Sequence, residues 1–374
     1  MAKTKAGSHP PGERRKVALA LQGGGAHGAF TWGVLDRMLE DPTLEIIGVT
    51  GTSAGAMNAV VLADGLVRGG PKHAKRQLRQ FWETIGKMLG FGTLLWPLSG
   101  KIAARVHLEQ TPPYLMWDVV RRNLSPYDLN PTGINPLREP LDALVDFKRL
   151  KKQQDIEIAV CATNVRTARR RVFTNKDISV DAVLASACLP ELFPAVEIDG
   201  EAYWDGGYTG NPALVGLIAR LPKCDFIIVR IDPIQRKDVP RTVAGIHDRL
   251  LEISFNSTFW LELSTLGIIL RLVDEGLLDR QRFGRILFHA IEASGELEKL
   301  ASTSKLNNYP AFLEILFEEG RASADAWLAK NGAAIGQRST IDLQKLLPMG
   351  AYDPRRQSRH EPASSAMSAP RRPA

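Results

Sequence analysis

The sequence predicts an α/β protein: a largely parallel sheet with helices around it, followed by a mostly helical C-terminal extension. Two observations predict it. A short apolar run, a glycine-rich turn and a helical pattern follow one another twice within the first 70 residues, the way a parallel sheet begins. Buried-strand patterns then recur as far as residue 231, and helical periodicity takes over from about Arg241.

Val17-Ala-Leu-Ala-Leu21 is the first strand and stops at Gly23-Gly24-Gly25. Phe30, Val34, Leu35 and Met38 then recur at helical spacing. The second strand, Glu45–Thr50, ends in Gly51-Thr52-Ser53-Ala54-Gly55, and Ala56–Val67 reads as a buried, alanine-rich helix. Residues 72–124 break the rhythm. Leu78, Phe81, Trp82, Ile85, Met88 and Leu89 form an amphipathic stripe, and Phe91–Leu98 is apolar and aromatic. This insert reads either as a helix capping the core or as a lid or acyl-chain collar exposed to lipid. Strands resume at Ile156–Thr163; Ala195–Ile198 and Glu201–Trp204 flank Asp199-Gly200, the signature of a type I′ hairpin turn. Asp225–Ile231 is a further buried strand, and helices follow through Leu250, Phe259 and Leu266, Pro310–Phe317 and Ala322–Leu328.

The net charge of +7 points to nucleic acid only until it is located. Residues 1–16 carry +4 and residues 350–374 carry +3, so residues 17–349 are neutral. Both tails are rich in Pro, Ser, Gly, Ala and charge, and read as disordered. They would solubilise the chain or touch an anionic membrane surface, each nearby Lys or Arg adding about 1 kcal/mol. Nucleic-acid binding is not expected. Cys161, Cys188 and Cys224 are an odd set without metal-ligand spacing, as expected of buried thiols in a reducing compartment. With neither a secretory signal nor a run of 18 apolar residues, a cytoplasmic protein is expected, peripheral to a membrane at most.

Three segments carry chemistry. Gly51-x-Ser53-x-Gly55 stands between a strand and a helix, where a sharp turn projects a serine hydroxyl and the helix N-terminus faces a developing oxyanion. Gln22-Gly23-Gly24-Gly25-Ala26-His27-Gly28 also joins a strand to a helix and satisfies the dinucleotide-binding spacing. That use requires an acidic residue at the end of the second strand, where this chain has Gly51-Thr52-Ser53. A row of backbone amides forming an oxyanion hole fits better. Asp205-Gly206-Gly207 follows a hairpin strand, either as a plain surface turn or as a carboxylate able to accept the Ser53 proton.

In this order the three segments resemble patatin-like phospholipases. The likeness extends to Ser125–Pro131 with Asn135-Pro136-Leu137, to Ala185–Pro190 with Phe193-Pro194, and to Asn211-Pro212, and it spans residues 17–235. The region 236–349 is similar to the helical extension of a bacterial subset of these proteins. The resemblance implies a patatin-like sandwich with helices on both faces of the sheet and an acyl hydrolase of the phospholipase A or lysophospholipase kind. It implies a Ser–Asp dyad without histidine or cofactor, with Ser53 as nucleophile and Asp205 as proton acceptor. The amides of Gly23, Gly24 and Gly25 would form the oxyanion hole, with Gly51 and Gly55 at the elbow and Gly206 and Gly207 after the acid. His27 stands where the family usually carries Arg or Lys.

Other readings stay open. A serine triad would recruit His247 or His289, although only two strands precede Ser53. The glycine loop would serve a nucleotide-binding module. A scaffold without catalysis would use the helices and tails to bind a partner or a membrane.

Overall fold

The computed structural model describes residues 14–88, 111–232, 239–279, 286–293, 300 and 302–343. The expected tails, apart from residues 14–16, and the Phe91–Leu98 part of the insert lie outside these residues.

The architecture is α/β, with a mostly parallel central sheet, helices around it and a largely helical C-terminal part. The first half runs β1 (Arg15–Leu21), α1 (Gly28–Met38), β2 (Leu44–Gly51), α2 (Ala54–Lys87), α3 (Pro112–Asn123), α4 (Pro126–Leu129), α5 (Arg138–Leu144) and α6 (Phe147–Lys152). Then come β3 (Glu157–Asn164), β4 (Arg170–Thr174), α7 (Val180–Ser186), β5 (Val196–Ile198), β6 (Glu201–Asp205), α8 (Leu214–Ile218) and β7 (Asp225–Arg230). The chain closes with α9 (Val243–Asp274), β8 (Leu287–Glu292) and α10 (Pro310–Asn331). The strand order is β5-β6-β3-β2-β1-β7-β8, and β4 pairs with β3 off that path.

Alternation along β1 explains the layering. Val17, Leu19 and Leu21 enter the core beneath α1, α2 and α10, while Ala18 and Ala20 enter a second core with Phe226, Phe259 and Leu263. Both faces are covered, so the strand is apolar from Val17 to Leu21.

Strand β1 begins at Arg15, inside the expected basic tail. Arg15 is held there by Gly332 O at 2.5 Å and by the Thr43 hydroxyl, because the ladder to β2 starts at Arg15–Leu44. Gly69, Gly70 and Pro71 kink α2, with Gly70 in the left-handed region at φ 69°. Past the kink, Leu78, Phe81, Trp82 and Ile85 are buried in the core, so this part of the stripe caps the fold instead of forming a lid.

Two strands were not foreseen. One is β4, which completes an antiparallel pair with β3; the other is β8, which lies parallel to β7 in a stretch expected to be helical. The extension thus adds a strand to the main sheet. Its helix α10 packs on α1 so closely that a side-chain carbon on Gly33 would meet the Phe317 carbonyl, and one on Gly320 the Phe30 carbonyl. Trp32 and Phe317 rings stand 4.0 Å apart across this contact. The 30-residue helical stretch Gly245–Asp274 is long and apolar enough to span a membrane, against the expectation of no such run. Phe259, Leu263 and Leu266 on this helix are buried against the sheet, along with Glu262.

Candidate active site

The ladder on β3 brings the serine and aspartate segments together. A strand has two edges. Strand β4 occupies one edge of β3 over Ala159–Thr163. Strands β2 and β6 therefore share the other edge, β2 pairing with Glu157–Val160 and β6 with Ala162–Asn164. Strand β2 reaches its last residue, Gly51, opposite Val160, and antiparallel β6 arrives at Asp205 opposite Ala162. The two strand ends meet nearly head to head. The hairpin that delivers Asp205 turns at Asp199 and Gly200, both at positive φ (52° and 78°), as a type I′ turn demands.

Ser53 is the first residue past this meeting point and caps α2 at φ 56°, ψ −125°. Holding a non-glycine residue there costs on the order of 1–3 kcal/mol, and such strain collects at functional turns. The Ser53 amide donates to Ser186 Oγ at 3.0 Å, which pins the turn to the end of α7. Gly51 and Gly55 allow the elbow to close: a side chain on Gly51 would strike the Gly55 carbonyl, and one on Gly55 the Leu21 carbonyl. Ser53 is 9% exposed, and Asp205 is fully buried.

The Gly207 amide donates to Asp205 Oδ1 at 2.7 Å. Thr163 Oγ1 donates to the Asp205 carbonyl at 2.8 Å, and the Asp205 amide donates to Cys188 O at 2.7 Å. The other carboxylate oxygen, Oδ2, is buried without a hydrogen-bond partner. No hydrogen bond of ordinary length joins the Ser53 hydroxyl to the carboxyl. Catalytic hydrogen bonds are often this slack until a substrate tightens them. Burial pushes the Asp205 carboxyl up from 3.8 to about 7; the Gly207 amide and the Ser53 hydroxyl oppose the rise, Glu191 adds to it and Lys305 counters it.

The glycine loop lies directly over the elbow. A Cβ on Gly23 would stand 2.7 Å from Thr52 O and 2.8 Å from Ser53 Cβ, so only glycine fits. The Gly23 amide donates to Asn211 Oδ1 at 2.7 Å, which occupies one of the three expected oxyanion donors. Asn211 thereby ties the glycine loop to the segment after Asp205. For the Gly24 and Gly25 amides no partner is recorded among the described residues. His27 is buried, with Nε2 2.7 Å from Ser304 Oγ.

Ser186 and Asn211 are not among the expected site residues. Both sit in the family-like segments Ala185–Pro190 and Asn211-Pro212, and a buried polar residue inside such a segment is the available signal.

A cleft of about 120 Å³ has as one wall Phe255, whose ring also packs against Gly207. Leu189, Leu192, Leu251, Phe255 and Leu306 give it apolar walls, and Glu191 and Lys305 give it charge. Phe255 reaches to where a Cβ on Gly207 would be 2.8 Å away. His247 lines this cleft from α9. His289 does not approach it: its ring is fully buried between Asp225 Oδ2 at 3.0 Å and Thr340 Oγ1 at 3.2 Å. It pairs in register with Ile227, four residues or roughly 13 Å of strand short of the sheet end that carries Gln22 and Ile231. All three cysteines are free and buried, and burial pushes their thiols up to about 12. Among the described residues no group of three or more His, Cys, Asp or Glu side chains could hold a metal ion.

A family model described as patatin-like phospholipase matches residues 19–217, just over half of the chain. Among solved structures, VipD from Legionella pneumophila is similar at 16% identity and a TM-score of 0.34, over 81% of this chain and 67% of that one. ExoU from the type III secretion system of Pseudomonas aeruginosa, in complex with SpcU, is similar at 15% identity and a TM-score of 0.29, over 83% of this chain and 53% of that one. The chain spans about half the length of ExoU, and likenesses this remote carry no argument about chemistry. A search of curated proteins gave no match.

Proposed function

The chain belongs to the patatin-like phospholipase family, a family of lipid ester hydrolases, and on that premise we propose that it cleaves lipid acyl esters through a Ser53–Asp205 dyad and an acyl-enzyme. The observation that carries this reading is Asp205 Oδ2, buried and unpartnered next to a strained serine at a helix N-terminus. A buried acceptor without a donor costs stability, about 1–3 kcal/mol, and such a cost persists where the acceptor has work to do.

In the proposed reaction Asp205 takes the proton of the Ser53 hydroxyl as Oγ bonds to the ester carbonyl carbon. The carbonyl electrons move onto oxygen, and the Gly24 and Gly25 amides stabilise the oxyanion by about 2.7–4 kcal/mol per donor, judging from comparable sites. Gly23, bonded to Asn211, holds the loop in place and is not a donor in this reading. The tetrahedral adduct collapses, and the alcohol leaves with the proton from Asp205. Asp205 then takes a proton from water, whose oxygen attacks the acyl carbon, and Ser53 departs reprotonated. A carboxyl that titrates at about 7 is an effective base near neutrality, and turnover should rise with pH through that value.

Other features fit a lipid substrate. The cleft walls are apolar, and exposed apolar residues flank it: Leu115 and Met116 next to Tyr114 on α3, Ile246 and Leu250 next to His247 and Leu251 on α9. We take these as the side approached by lipid, in a cytoplasmic protein that touches an anionic membrane peripherally. The nucleotide-binding reading is disfavoured by the serine packed against the glycine loop, where a ribose-binding carboxylate is needed.

The test is a panel of phospholipid, lysophospholipid and neutral acyl esters assayed on wild type, Ser53→Ala and Asp205→Asn. Loss of turnover by at least about a thousandfold in both variants is expected. Retained turnover in either removes the dyad. Turnover abolished by His247→Asn but kept in Asp205→Asn would favour a triad, and no turnover by wild type would favour the scaffold reading.

A further inference from the structure

The C-terminal extension meets the glycine loop at the turn Ser302–Leu306, and Phe312 of α10 stands 6.2 Å from the His27 ring. The Lys305 carbonyl lies where a Cβ on Gly25 would be, at a residue whose φ of 57° already favours glycine. Beside it, Ser304 Oγ meets His27 Nε2 at 2.7 Å. The Lys305 ammonium pairs with Asp232 Oδ1 at 2.7 Å, and Asp232 is itself 3% exposed. The amides of Ile231 and Asp232 both donate to Gln22 Oε1, at 2.7 and 2.9 Å, and Gln22 immediately precedes Gly23. The ammonium is thus fixed to the glycine loop from two directions, by its own backbone on Gly25 and by its counter-ion through Gln22. Lys305 also lines the cleft, which places the ion pair between the cleft and the glycine loop.

We propose that Lys305 is a positioning residue of the active site, supplied by the C-terminal extension, whose fixed ammonium lowers the cost of building negative charge beside the glycine loop. The proposal rests on the Ser53–Asp205 reading. Both events it assists create or keep an anion there: the Asp205 carboxylate before attack, and the oxyanion after it. A charge held in place before the reaction costs no reorganisation during it, and next to a fully buried carboxyl it is screened less than it would be in water.

The charges around Asp205 make the idea measurable. Glu191, Tyr208, Cys161, Cys188 and Lys305 are the titratable groups whose charges act on its carboxyl or respond to it. Burial pushes the Tyr208 phenol and both thiols well up, so they stay neutral near pH 7. Glu191 and Lys305 remain as opposing charges on one cleft wall. His247 and Glu252 share the cleft, and Glu252 is paired with Arg249 at 2.9 Å.

The experiment follows the rate at which a fluorophosphonate probe labels the full-length protein between pH 5 and 9, alongside melting temperatures. It compares wild type, Ser53→Ala, Lys305→Met, Lys305→Arg and Glu191→Gln. Wild type is expected to label and Ser53→Ala not. Lys305→Met should label slower by about tenfold, with its acidic limb moved to higher pH, while Lys305→Arg stays within about threefold of wild type. Glu191→Gln should move the limb the other way. A Lys305→Met protein that labels at the wild-type rate with an unmoved limb overturns the proposal. So does a Lys305→Arg protein as slow as Lys305→Met with both melting early, which would make the turn a matter of shape. If Lys305→Met does not fold, the Glu191→Gln limb decides: unmoved, it counts against a charge-tuned site. Failure of wild type to label would remove the dyad reading itself, and this proposal with it.

Discussion

Replacing Asp205 by Asn should make the protein more stable while it abolishes turnover, and the gain should depend on pH in a defined way. The carboxyl titrates at about 7 when folded and at 3.8 when unperturbed, because burial disfavours its charged form. Folding therefore takes up a proton between these two values. Stability from this group is fully present below about 4 and is lost as pH rises through about 7. At about 1.36 kcal/mol per tenfold, the gap sets a ceiling of about 4 kcal/mol on what the ionised carboxylate costs above pH 7. Asn has the same shape, keeps an oxygen for the Gly207 amide and carries no charge, so the variant escapes this cost. Relaxation around the site brings the expected gain to about 2–3 kcal/mol at pH 8 and to nearly nothing at pH 4. Urea unfolding followed by tryptophan fluorescence at unit pH steps measures the difference, and groups that titrate alike in both proteins cancel. A difference that stays flat from pH 4 to 8, or a wild type more stable than the variant at pH 8, would refute the reasoning.

Gly23→Ala should destabilise the fold by about 1–3 kcal/mol and reduce ester turnover by at least about a hundredfold, since the new Cβ would press on Thr52 O and Ser53 Cβ at 2.7 and 2.8 Å. Melting temperature and initial rates on one lipid ester check both halves. His289→Asn should lower stability by about 1–3 kcal/mol by breaking the bond to Asp225, yet leave kcat/KM within about twofold. A large fall in kcat/KM without loss of stability would bring the triad back.

The parts of the fold that were legible in the sequence share one property: each is specified by neighbouring residues. The glycine turn after β1, the elbow after β2 and the Asp199-Gly200 hairpin declare themselves within a few positions, because the dihedral angles they need admit few residue types. The same holds for the Leu78–Ile85 stripe, whose spacing already pointed to a buried face. What escaped depends on partners distant in the chain. Leu287-Phe-His-Ala-Ile-Glu292 is a strand because β7 offers it an edge, and nothing within the six residues outweighs the helical patterns on either side. Arg170–Thr174 pairs with β3 even though two of its five residues are arginines, whose charges disguise an edge strand. At the site, the pairing of Asn211 with Gly23 spans 188 residues and that of His27 with Ser304 spans 277, beyond the reach of any local pattern. Lys305 likewise lies in a turn with no motif around it.

The shared edge of β3 also limits how this family member can vary. Asp205 faces Ala162 in the β6–β3 register, β6 is held on its other edge by β5 through a two-residue turn, and Trp204 and Gly206 stand on either side of Asp205 in the chain. Inserting or deleting one residue between Ile198 and Glu201 would either be absorbed as a bulge or slide β6 by one place, handing the aspartate's position to a neighbour and turning its carboxylate to the opposite face of the sheet. The mostly exposed connection from α8 to β7, residues 219–223, carries no such constraint on its length, so drift in chain length should accumulate there and leave the hairpin alone.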